Sequence, residues 1–250
     1  MVTRENVISF LNEYLQIADI ADSSFNGLQV EGRRDIKKIV FGVSASLELF
    51  KRAKAVKADM IIVHHGLLWG KEQALVGAFG RRAGFLLENQ ISLLGYHLPL
   101  DKHSVIGHNI LLLKSLQAEN ISSFGCYHGQ NIGYCGTIKT TTIEKIVKKL
   151  EKLCASKAIV LPFGPKKICK VGIVSGGGWS MLPDALAQGL DLFVTGSVDE
   201  PVQELCREGK IHCVALGHYN SEKIGVLALM DLVAKQFQVA VEFIDVKNPL

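Results

Sequence analysis

Apolar and polar positions follow two periods along this chain, and the two take turns. After Thr3, the residues Val7, Phe10, Leu11 and Tyr14 recur at the spacing of a helix with one buried face. Ile143, Ile146, Val147 and Leu150 do the same behind a capping-box pattern from Thr141 to Glu144. Val226, Leu229, Met230 and Val233 mark another helix, whose start is expected near Ser221. Between such segments lie short apolar runs, often β-branched, at 39–43, 60–63, 91–96, 170–174, 191–196 and 212–217. Runs that are apolar on both faces, alternating with helices, predict an α/β fold with mixed, mostly parallel sheets. No internal repeat, low-complexity tract or linker stands out. Gly, Cys, His and Asn break the periodicity over 125–136, so a seam between two α/β units is expected there, giving 1–124 and 125–250.

Composition narrows the class. With 250 residues and 48% of them hydrophobic, the chain has ample material for a large core. The opening "MVTRENVISF" mixes charge into its apolar residues, and no apolar run approaches the ~18 residues of a membrane span, so a cytoplasmic protein with no membrane partner is expected. Six cysteines without a C-x-x-C pair exclude a zinc knuckle or disulfide framework and read as reduced, half-buried hydrophobes. The net charge is only +4. Lys145, Lys148, Lys149 and Lys152 read as the solvated face of one helix, and a nucleic-acid partner is not expected.

The chemistry gathers where the apolar runs stop. After Met60–Val63 come His64, His65 and Gly66, and after the run ending at Tyr96 come His97 and Asp101. Thr195, Gly196, Asp199 and Glu200 follow Phe193-Val194, and His218 and Glu222 follow 212–217. Carboxyl ends of strands are where open α/β sheets bind ligands. Imidazole and carboxylate together suit borderline divalent ions such as zinc, iron, manganese or nickel, and the absence of nearby thiolates argues against a closed structural zinc site. Neighbouring strand residues point to opposite faces, so His64 and His65 converge only if the backbone turns, as Gly66 permits; otherwise they address two different ions. His218 and Glu222 stack if a helix begins at that point, whereas a helix starting near Ser221 makes "NSE" an ordinary cap. His103, His108, His128 and His212 read as surface or core histidines. The run "SGGGWS" (175–180) lacks the spacing of a dinucleotide loop and reads as a tight strand-to-helix connection, with an anion-binding loop as the alternative.

Seven stretches also carry a resemblance. "FNGLQVEG" (25–32), "GVSASLELF" (42–50), "ADMIIVHHGLLWG" (58–70), "GYHLPLD" (95–101), "SGGG" (175–178), "TGSVDE" (195–200) and "GHYNSE" (217–222) resemble, in order, the motifs of the NIF-three-like family, whose members are often labelled GTP cyclohydrolase I type 2 homologues. The resemblance implies two interlocked α/β/α units, a dinuclear metal site and a ring-shaped homohexamer. It implies metal ligands at His64, His65, Asp101, His218 and Glu222. Longer relatives insert a middle domain, for which this chain has no room.

Five such ligands exceed the needs of one four-coordinate zinc, and two ions sharing a carboxylate form the usual frame for hydrolysis. The expected activity is therefore a metal-dependent hydrolase acting on a small nucleotide-like or phosphate-bearing molecule, GTP cyclohydrolase-type chemistry included. A metal-binding scaffold or trafficking protein without turnover is the alternative. His97 is the candidate for proton transfer, or else a structural hydrogen-bond donor. Asn26, Gly27 and Gln29 offer no good ligand set and are expected to shape or hydrogen-bond the site.

Overall fold

In the computed structural model of the chain, residues 2–71 and 73–250 are described. They form two compact units, the first comprising residues up to Leu100 together with Val226–Lys247, the second Asp101–Gly225 with Asn248–Leu250. This division differs from the expected seam at 124/125, which falls inside the strand Glu119–Tyr127. That strand pairs antiparallel with Gln130–Thr141. His128 and Gly129 turn the corner with φ of 47° and 78°, the two left-handed residues that a tight hairpin turn requires. The break in periodicity is a turn within one unit.

The first unit is built on a five-stranded sheet in the order Ala240–Phe243, Lys38–Ser44, Met60–His65, Ser92–Gly95, Gly27–Val30. The first four run parallel and the last pairs antiparallel. Val40, Ile61, Val63 and Leu93 pack with Leu49, Phe50 and Leu86 from the helices Leu47–Ala55 and Gly77–Glu88. The helix Arg4–Tyr14 is closed by the capping box that Thr3 forms with Asn6.

A six-stranded sheet forms the second unit, in the order Glu119–Tyr127, Gln130–Thr141, Ile168–Val174, Leu192–Thr195, His212–Ala215, Ile159–Pro162. Its centre is parallel and its flanks antiparallel. Ile143, Ile146, Leu150 and Cys154 of the helix Ile143–Cys154 are buried, and its four lysines are exposed, as the periodicity predicts. The capping residue is Thr142 rather than Thr141.

Both units start their parallel strands with the same device. Asp59, just before Met60–His65, accepts the backbone N–H groups of Lys37 and Lys38 at 2.8 and 3.0 Å. Asp191, just before Leu192–Thr195, accepts those of Cys169 and Lys170, both at 2.8 Å. Each carboxylate satisfies donors that the ladder has not yet reached. Among the described residues no helix is long and apolar enough to cross a membrane.

Candidate metal centre

In the first unit, the strand Met60–His65 does not end at Val63. It continues through both histidines, and His65 still pairs with Ser44. Adjacent side chains of an ideal strand diverge, yet the two rings lie 4.5 Å apart, centroid to centroid. Just past them, Gly66 lets the amide of Gln29 press against the backbone, in space a Cβ would fill. Gln29 Oε1 accepts the N–H groups of Leu67 and Leu68 at 2.6 and 3.3 Å, and its Nε2 donates to Phe25 O at 2.6 Å. Gln29 of the "FNGLQ" motif thus braces the segment that follows the histidines.

A third imidazole joins them. The His97 ring lies 5.1 Å from that of His64 and 5.7 Å from that of His65, and one ring nitrogen from each of the three falls within 4.8 Å of the others. Each Nδ1 already faces a protein group: His64 the Tyr96 carbonyl at 2.9 Å, His65 the Ser44 hydroxyl at 3.1 Å, His97 the Asp22 carboxylate at 2.9 Å. A carbonyl or carboxylate can only accept, so His64 and His97, when neutral, carry the proton on Nδ1 and the lone pair on Nε2. Metal-ligating histidines are oriented by such outer hydrogen bonds.

Asp22, which the sequence pattern did not single out, sits behind this cluster. Its carboxylate accepts from Ser24 N, Leu98 N and Asn26 Nδ2, each at 2.9 Å, besides the His97 ring. Burial pushes its pKa up, but the His97 hydrogen bond and charge, with the Asn26 and Ser24 donors, outweigh this and hold it at about 2. The cue in the sequence is "DSSFN", in which Asp22 and Asn26 read as turn residues. Nothing local reveals that the same carboxylate reaches His97, seventy-five positions on.

The second unit carries carboxylates of its own. Asp101 is buried and accepts from Ser175 Oγ at 3.2 Å, while Ser175 N donates to Asn109 Oδ1 at 2.6 Å. His108, read beforehand only as a surface or core histidine, is fully buried with a ring nitrogen within 4.8 Å of an Asp101 oxygen. Its Nδ1 accepts the Gly225 N–H at 3.2 Å. A histidine opening the apolar run "HNILLL" was the available signal.

The helix that carries "GHYNSE" begins at His218, not near Ser221. His218 and Glu222 therefore stack one turn apart, with Nε2 and Oε1 at 3.3 Å. Ser221 does not cap the helix: its hydroxyl donates to His218 O at 2.8 Å and accepts from Gly176 N at 3.1 Å. Gly176 has φ +60°, and a Cβ there would overlap Glu222 Oε1. "SGGGWS" leads into a 3₁₀ turn, Gly178–Met181, and a short helix, Leu182–Ala187. It is a tight connection whose backbone packs on the carboxylate.

Other candidates stand apart. Asp199 and Glu200 are exposed, with the Asp199 carboxylate accepting Glu200 N. His103 caps the N–H groups of Val105 and Ile106, and His212 bridges Gly164 N and Pro165 O. All six cysteines are free thiols. The donor groups are imidazole nitrogens and carboxylate oxygens, a set that fits first-row divalent ions.

The sequence pattern of Duf34/NIF3 (NGG1p interacting factor 3) matches residues 2–249. A protein of Archaeoglobus fulgidus named "GTP cyclohydrolase 1 type 2 homolog" is 42% identical over 245 residues, covering 98% of each chain. A Pyrococcus abyssi protein of the same name is 38% identical over 244 residues, covering 97% of each. Among solved structures, a Thermus thermophilus protein superposes with a TM-score of 0.92 at 32% identity, covering 99% of this chain and all of that one.

Proposed function

The chain belongs to the Duf34/NIF3 family, and from that premise we propose that it is a metal-dependent hydrolase acting on a small nucleotide-like or phosphate-bearing substrate. The observation that carries the proposal is the set of imidazoles in the first unit, His64 and His97 fixed through Nδ1 so that Nε2 keeps its lone pair, and His65 beside them. In this reading His64, His65, Asp101, His218 and Glu222 hold two divalent ions, zinc, iron, manganese or nickel, and the working assembly is a homohexamer. The relatives' names, GTP cyclohydrolase homologues, favour a nucleotide among the possible substrates.

Bound ions would supply Lewis-acid activation of a water nucleophile and offset charge building on the leaving oxygen. The chain's own residues set the rest. Tyr96 O, Ser44 and Ser175 hydrogen-bond His64, His65 and Asp101 and fix their orientation. His97 Nε2, its ring fixed by Asp22, accepts a proton from the nucleophile and returns it to the leaving group. Trp69 packs edge-on against the His97 ring, with centroids 5.0 Å apart.

The test is metal analysis of protein purified without added metal, followed by an unbiased metabolite screen with each candidate ion. Turnover that needs the ion and disappears in His65→Ala supports the proposal. Stoichiometric metal with no turnover of any nucleotide or phosphoester would replace it with a metal-binding scaffold.

A further inference from the structure

Asp22 is more than a turn residue. Its side chain is only 2% exposed, and its two oxygens gather donors from two stretches of chain: Ser24 and Asn26 on one side, His97 and Leu98 on the other. Asn26 completes the frame by accepting the His97 N–H on Oδ1 at 2.8 Å, so His97 is fixed at its backbone as well as its ring. Turn formation alone would use the Ser24 and Asn26 contacts. It has no use for the imidazole.

We infer that Asp22 is a positioning residue that locks His97 in the Nδ1–H tautomer, turning the Nε2 lone pair towards His64 and His65. The inference rests on the proton-transfer role given to His97 above. A carboxylate accepts and never donates when ionised, so the neutral ring facing it must keep its proton on Nδ1. An amide in its place accepts through oxygen or donates through nitrogen, so the tautomer is no longer dictated. Asn26, by contrast, holds the backbone and leaves the ring choice alone.

The experiment reads the tautomer directly, by long-range ¹H–¹⁵N correlation of the imidazoles in metal-free protein above the imidazole pKa. His97 should appear as Nδ1–H in the wild type. Asp22→Asn should convert a substantial share to Nε2–H, and Asn26→Ala should leave the tautomer unchanged. With metal restored, Asp22→Asn should bind the wild-type number of ions but turn over the substrate found by the metabolite screen about 10–100-fold more slowly. His97→Gln would mark the floor. A wild-type Nε2–H tautomer, or an unchanged tautomer in Asp22→Asn, would overturn the inference. Because the tautomer is read without metal, its failure is distinct from that of the hydrolase proposal, which absence of metal-dependent turnover in the wild type would show.

Discussion

The parallel strands of the two units can be laid side by side. Lys38–Ser44, Met60–His65 and Ser92–Gly95 in one correspond in order and direction to Ile168–Val174, Leu192–Thr195 and His212–Ala215 in the other. Asp59 and Asp191 start them alike. Their carboxyl ends diverge. Met60–His65 finishes in two imidazoles, whereas Leu192–Thr195 finishes in groups that bind the glycine loop, with Gly196 N and Ser197 N donating to Gly176 O at 3.1 and 2.9 Å. The third strands each lead to a histidine followed four residues later by an acid, His97 with Asp101 and His218 with Glu222. His218 faces its own Glu222, while His97 has its ring held by Asp22. Similar scaffolds thus deliver different goods: a histidine cluster from one, braced carboxylates from the other.

The comparison breaks hardest at the strand ends. His64→Ala removes a fully buried imidazole whose orientation the Tyr96 carbonyl fixes. We expect metal affinity to fall by more than about 100-fold, beyond the usual cost of losing an outer partner. Thr195→Ala, at the matching end, should leave affinity within a few-fold. Competition with a chelating dye measures both, and equal losses would erase the distinction.

Glu222→Gln comes next. Two divalent ions held side by side repel each other strongly, so removing the Glu222 charge should release the weaker-held ion first. One ion per chain should then remain by elemental analysis. Retention of both at unchanged affinity would return "GHYNSE" to a helix start without a metal role.

Acid unfolding offers a smaller effect. The Asp22 pKa is depressed from 3.8 to about 2, so its contribution is present above pH ~4 and is lost as pH falls through about 2, worth about 2 kcal/mol across that window. Asp22→Asn should flatten the acid limb there, as denaturant titrations of the metal-free protein at successive pH values would show. An unchanged limb would mean that the carboxylate is not held as its contacts indicate.

The smallest separation uses two glycines of the second unit. Gly176→Ala and Gly189→Ala both place a side chain at positive φ, but only the former also meets Glu222. Each should lose about 1 kcal/mol to backbone strain, and Gly176→Ala should lose about 1 kcal/mol more from overlap. Equal thermal shifts would show that the glycine loop does not press on the carboxylate.

Much of this was legible beforehand because it depends on local pattern. The strands at Met60 and Leu192 and the helix at Ile143 follow from periodicity, and His64, His65, His218 and Glu222 stand where apolar runs stop. What the sequence hid is of two kinds. The packing against Gly66, just past His64 and His65, depends on Gln29, far earlier in the chain, and the frame around His97 depends on Asp22, whose own neighbourhood reads as a turn. The seam was misplaced because a hairpin turn and a unit boundary share the same residues, Gly, His and Asn, and only pairing tells them apart.

The central claim is the proposal that this chain holds two divalent ions on its histidines and carboxylates. Metal titration of the stripped protein, with bound ions counted per chain in the wild type and in Asp101→Ala, tests it most directly. The account predicts close to two ions per wild-type chain and fewer in the variant. A single tightly held ion, bound equally well without Asp101, would contradict it.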